Sequence, residues 1–197
     1  MAGGLQQVVA DDFSLGDGSG IWLIDGFKFW GYQPDATSPS IDLVAVAILD
    51  RAPYLPGMQV LWATTGVPNV SMTNIYRVLD TDMGDTTRQI QLIEFAINPI
   101  VLPGGEYWLA WSTGSIGPGG TWVPAVTVLD VDYPGNGLQI INTTNVTPLL
   151  DAGTYTQKGV PFQITGSAVP EPALMAQVLF GGGLGMLAFL RRGRKRN

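Results

Sequence analysis

An all-β fold, a β-sandwich of which the jelly roll is one form, followed by one C-terminal transmembrane helix, is what this chain of 197 residues predicts. Three observations carry that expectation. Glycine and proline number 26 and 14 while charged residues make up only 13%, a balance that favours short strands and tight turns over packed helices. Short apolar runs recur along the first 166 residues, each closed by a cluster of Gly, Pro, Asn or Asp. The third observation is an uncharged run over 173–190 with a cluster of five bases directly behind it. The length suits one domain with its own core and a short appendage.

Residues 1–12 lack the basic and apolar regions of a secretory signal and read as a segment ahead of the sandwich, which occupies 13–166. Strands are predicted at 21–32, 41–49, 58–62, 75–79, 88–97, 107–113, 121–129, 138–141 and 160–165. The run IDLVAVAIL is apolar at both parities, as in a strand covered on both faces or crossing under a loop. In RQIQLIEFAI the parity of the apolar positions changes between Leu92 and Ile93, which predicts a bulge there. LPGGEYWLAWS reads as a hairpin. Pro103, Gly104 and Gly105 make its turn, with Tyr107, Leu109 and Trp111 on one face and Trp108 and Ala110 on the other. The six tryptophans are spread through the strands, which favours core positions; Trp108, Trp111 and Trp122 are the candidates for stacking on a sugar.

Charge and composition exclude several chemistries. Residues 1–169 hold 15 acids against Lys28, Arg51, Arg77, Arg88 and Lys158, so the body has no attraction for phosphate backbones and nucleic-acid binding is rejected. The chain has no Cys and no His. That removes disulfides, zinc-type sites, Ser-His-Asp and Cys-His nucleophiles and imidazole acid–base chemistry. No cofactor is expected, except that Asp80, Asp82 and Asp85 in DTDMGDTT have oxygen ligands suited to calcium. The same residues suit a turn in which Asp carboxylates accept nearby backbone N–H groups, with Arg77 or Arg88 beside them. Asp11, Asp12, Asp17, Asp130 and Asp132 pose the same alternative. Glycoside hydrolysis needs two facing carboxyl groups, and nothing in the order of Glu94 and Glu106 marks such a pair, so no enzyme is expected. The Asn-x-Ser/Thr triplets at Asn69, Asn142 and Asn145 read as polar loop.

The tail has its own logic. The 18 residues of 173–190 carry no charge and stand at the lower edge of what crosses a hydrocarbon core of about 30 Å. Gly181 and Gly185 have the spacing that lets membrane helices approach, although glycine is also simply tolerated in lipid. Arg191, Arg192, Arg194, Lys195 and Arg196 would be held on the cytoplasmic side, which places the body outside the cytoplasm. Pro170 and Pro172 remove two backbone donors and keep the linker 167–172 extended.

Those three parts in that order, Pro170-Glu171-Pro172, a short apolar helix and a basic cluster over 191–197, resemble a PEP-CTERM sorting signal. The resemblance covers residues 169–197. It implies that an exosortase, an integral-membrane cysteine transpeptidase, recognises Pro170, Glu171 and Pro172 and cuts near them. It further implies export, transient anchoring in the inner membrane through 173–190, and release or re-anchoring that leaves the protein at the cell surface or in the extracellular matrix. The body is similar, more loosely, to the variable β-sandwich ectodomains that precede such tails, in DDFSL, in IYRVLDTDMGDTTRQIQLIEF and in LPGGEYWLAWS. Such proteins begin with a cleaved secretory signal, so residues 1–12 look like the mature start after a signal peptide absent here. Two functions follow as expectations: a non-catalytic surface or matrix protein, or a module that binds extracellular polysaccharide with calcium assistance.

Overall fold

The computed structural model describes residues 7–78, 81–116, 120–125, 134–141, 145–151 and 155–170. Among them are ten strands and no helix: β1 Gln7–Leu15, β2 Ile21–Gly31, β3 Ile41–Leu49, β4 Val60–Gly66, β5 Asn69–Tyr76, β6 Gln89–Pro103, β7 Gly105–Ser115, β8 Leu138–Ile141, β9 Asn145–Pro148 and β10 Phe162–Val169. They form two antiparallel sheets, ordered β4-β3-β7-β1-β8-β9 and β10-β2-β6-β5, so the expected hairpin at LPGGEYWLAWS is instead a crossing at Gly104 from β6 in one sheet to β7 in the other. The chain is a β-sandwich.

The core follows from alternation. Val44, Val46 and Ile48 of β3, Leu109 and Trp111 of β7, and Val9 and Leu15 of β1 face Ile24, Phe27 and Phe29 of β2 and Ile93 and Phe95 of β6. Aromatic rings join the two sheets: Phe27 stacks on Trp62 at 5.9 Å between centroids, and Phe29 on Trp111 at 5.0 Å. Burying Phe27, Phe29 and Trp111 stabilises the fold by about 1.5–3 kcal/mol each. The outer face of the larger sheet carries a second, smaller cluster of Ala10, Leu49, Ala110 and Leu138 with Ala47 and Trp108 against it. Both parities of IDLVAVAIL are therefore used, as that run predicts.

The structure corrects several boundaries. β1 lies between β7 and β8 inside the larger sheet, so residues 7–12 belong to the sandwich and not to a segment ahead of it. The short QVVADDFSL alternation was masked by the paired acids Asp11 and Asp12. β4 runs to Gly66, beyond the expected end at Trp62, because Ala63, Thr64 and Thr65 continue the ladder with β3. β5 covers 69–76 where only 75–79 was expected, β9 was not expected, and β10 extends through Val169 into the linker. At 121–125 there is no strand; Trp122 makes an isolated bridge to Tyr32, and 126–129 lie outside the described residues.

No bulge occurs between Leu92 and Ile93, where pairing with both β2 and β5 is regular. The parity changes because Gln91 takes an inward position beside Ile93 and Phe95. It is 0% exposed, its Oε1 accepts from Ser40 N at 3.0 Å and its Nε2 donates to Ser40 Oγ at 2.8 Å. A buried amide with its hydrogen bonds made is tolerated where an unpaired one is not. The β2–β6 irregularity lies instead between Ile24 and Gly26.

Two glycines are required by close approach. Gly104 N donates to Gly20 O at 2.9 Å, and a Cβ on Gly104 would overlap the Ser19 backbone, so the β1–β2 loop and the β6–β7 turn fit only with glycine there. Gly166 stands at the register shift of β10, where a Cβ would meet the Leu23 carbonyl.

Candidate functional site

β10 is an edge strand that ends at Val169 and delivers Pro170, exposed, as the last described residue of the chain. Glu171, Pro172, the run 173–190 and the bases Arg191, Arg192, Arg194, Lys195 and Arg196 lie outside the described residues. Among the described residues no helix is long and apolar enough to cross a membrane. An edge strand has one side without ladder partners, and the exposed stretch from Gly166 to Val169 keeps that side accessible.

The acidic turn sits at the opposite end of the sandwich. Asp80 lies outside the described residues, and Asp82 is exposed. Asp85 accepts from Thr87 Oγ1 at 2.5 Å and Thr87 N at 2.8 Å, and Arg88 Nε donates to it at 3.0 Å. The Thr87 hydroxyl, then its amide, then the Arg88 guanidinium hold the Asp85 carboxyl down at about 2. The local-turn alternative therefore describes this carboxylate, whose oxygens are already engaged. Among the described residues no three Asp or Glu side chains gather as a metal site would require. Asp17 likewise closes its own turn, accepting from Ser19 Oγ at 2.5 Å and Ser19 N at 3.1 Å. Asp130 and Asp132 lie outside the described residues.

The three tryptophans chosen for sugar stacking do not come together. Trp111 is 1% exposed in the core, so its ring faces cannot meet a sugar; its strand position opposite Val9 and Val46 turns it inward. Trp108 points to the other face of the same sheet and is half-buried in the outer apolar cluster. Trp122 is exposed at the far end, beside Tyr32. Glu94 pairs with Lys28 at 2.7 Å and Glu106 accepts from Ser14 Oγ at 2.8 Å, on different sheets.

A cleft of about 270 Å³ opens between the sheets, walled by Phe13, Leu15, Trp22, Ile24, Phe162 and Thr165. Of its polar side chains, Ser14 bonds to Glu106, and Thr165 Oγ1 to Asp25 at 2.8 Å.

Asp11, a candidate for a calcium ligand or a polar turn, lies instead within β1 and is 7% exposed. Its Oδ2 accepts from Val160 N at 2.8 Å and its Oδ1 from Asp12 N at 3.0 Å, tying the first strand to the segment ahead of the last. Its parity with Val9 and Phe13 was the available signal. Burial pushes its carboxyl up to about 6, against the lowering effect of the two amide donors. The sign is set by comparing folded and unfolded states. With a folded value above the ordinary 3.8, the ionised form costs stability above about pH 6, and that cost is relieved as pH falls from 6 toward 3.8. Asp85 acts in the opposite sense, its contribution being lost between 3.8 and about 2. Thermal unfolding followed from pH 7 downward is expected to show rising stability to about pH 4 and a fall below it, and Asp11→Asn is expected to flatten the rise.

No family model, no curated protein and no solved structure matches this chain.

Proposed function

We propose that this is an exported, non-catalytic β-sandwich that is held briefly in the inner membrane by 173–190, processed by an exosortase near Pro170-Glu171-Pro172, and passed to the cell surface or the extracellular polymer matrix. The observation that carries the reading is the order of the three tail elements in the sequence. Two features of the sandwich support it. The processing motif follows directly on an exposed edge strand, where a membrane enzyme meets extended chain without unfolding the core. Glu94 and Glu106, the glutamates weighed for glycoside hydrolysis, are engaged in separate contacts on different sheets. The pairing of β1 with β7 and of β2 with β6, with the chain passing from one sheet to the other between β1 and β2, supports the jelly-roll form, to which β8, β9 and β10 are additions.

The test is the C-terminal mass of the protein recovered from the membrane, surface and medium fractions of its native host. A product ending near Pro170 to Pro172 outside the membrane is the expected result. A chain ending at Asn197 and lodged in the membrane would mean a plain tail anchor and would overturn processing. The polysaccharide-binding reading has less support, since the candidate tryptophans occupy three separate environments.

A further inference from the structure

The outer face of the four-stranded sheet carries an ion pair in its middle, the half-buried Trp30 and Leu92 on one side of it, and an exposed apolar stretch at the other end. Lys28 and Glu94 form their ion pair in the middle, and Asp25 with Thr165 marks the boundary. Beyond it the register sets Val169, Ile21 and Pro103 side by side across β10, β2 and β6, with Ser167, Leu23 and Val101 in the next row of the same face. Ile21, Val101 and Val169 are 48%, 60% and 40% exposed, and neither row holds a charge. Trp22 and Leu102, of the other parity, turn into the core. The β3–β4 loop leaves the larger sheet at this same end, where β3 finishes against the start of β7, and it carries exposed Tyr54 and Leu55.

This is also the end from which the chain leaves the sandwich. Val169 is itself in the apolar row, and four residues take the chain from it to Ala173, the first of the uncharged run. Four residues reach at most about 14 Å. As a helix the 18-residue run measures about 27 Å. A hydrocarbon core is about 30 Å thick, so a spanning run has no slack with which to lift Ala173 away from the hydrocarbon edge. The headgroup layer takes up about 5–7 Å of the tether's reach. A spanning run would thereby keep Val169 within about 14 Å of the hydrocarbon edge, with the acidic turn at the opposite end of the sandwich.

We propose that this end of the sandwich, through Ile21, Leu23, Val101 and Val169, lies against the bilayer at the headgroup boundary for as long as the tail is uncut. The proposal rests on the membrane-spanning reading of 173–190. The contact is apolar rather than electrostatic, because a body with 15 acids and five bases has no net attraction for anionic lipid.

The absence of Cys makes the test direct, since each introduced thiol is unique. Full-length Val101→Cys, Asp42→Cys and Met186→Cys are labelled with an environment-sensitive fluorophore and placed in vesicles of phosphatidylethanolamine and phosphatidylglycerol. Spin-labelled lipids at shallow and deep positions serve as quenchers. Val101 and Asp42 are exposed at opposite ends, so neither label disturbs the core. The expected result is a blue shift and loss of emission with the shallow quencher at Val101, none at Asp42, and loss with the deep quencher at Met186. Deep quenching at Met186 with a water-like, unquenched label at Val101 would overturn the contact and leave the spanning tail intact. A blue shift at Val101 without lipid quenching would mean that a second copy or the tail covers the face, which also overturns it. No quenching at Met186 would remove the spanning reading and the inference with it.

Discussion

Replacing Trp111 by alanine is expected to lower the unfolding free energy by about 3–5 kcal/mol, the range for emptying a large aromatic site in a core. The ring is 1% exposed and lies between Phe29, at 5.0 Å, and Phe162, at 5.5 Å, so its removal opens a cavity where the two sheets meet. Small domains have about 5–15 kcal/mol in total, and the variant is expected to be marginal. Its indole Nε1 has no hydrogen-bond partner among the described residues. Trp111→Phe thus gives up no polar contact and is expected to cost about 1.5 kcal/mol or less. Urea denaturation checks both, with a lowered midpoint at unchanged slope for each variant. A cost under about 1 kcal/mol for Trp111→Ala would mean that the ring is not a core element.

Substituting Glu171 by alanine is expected to leave the sandwich unchanged and to stop processing, so that the full-length chain accumulates in the membrane fraction. The argument is one of separation. Glu171 lies two residues beyond the end of β10, and every ladder contact of that strand is made by Phe162 to Val169. The substitution falls outside the β10 ladder, so a loss of processing at an unchanged unfolding midpoint reports recognition. Fractionation with mass measurement of the C-terminus reads the outcome, and the unfolding midpoint of the ectodomain serves as the control. A Glu171→Ala chain cut as efficiently as the parent would show that the carboxylate is not read.

How much was legible beforehand differs by element. β3 and β8 carry their predicted boundaries because turn residues flank them on both sides, Pro39-Ser40 and Asp50 around the first, Gly137 before the second. β1 was missed because two acids interrupt its alternation, and only burial against β7 shows that Asp11 faces in and Asp12 out. The expected bulge at Leu92 failed for a related reason. A polar residue on an inward position imitates a parity change, and the hydrogen bonds that make Gln91 tolerable come from Ser40, 51 residues away.

The candidate sites divide along the same line. The tail reading needs only local sequence, since length, lack of charge, prolines and a basic end act within one continuous segment. The metal and sugar readings needed spatial neighbours. Asp85 could be judged once Thr87 and Arg88 were seen to occupy its oxygens, and the tryptophans once Trp111 was in the core and Trp108 on the opposite face.

By itself the sequence determined that the body is a strand-and-turn protein without thiol or imidazole chemistry and that an uncharged run with a basic end follows it, because composition and short-range periodicity act within a few residues. The tertiary structure alone decided which strands are neighbours, which acid is buried, and that Ile21, Val101 and Val169 form one apolar end beside the exit of the chain. Strand register is the physical reason: it is set by pairings between residues far apart in the chain, and a shift of one position exchanges the faces of every side chain in the strand.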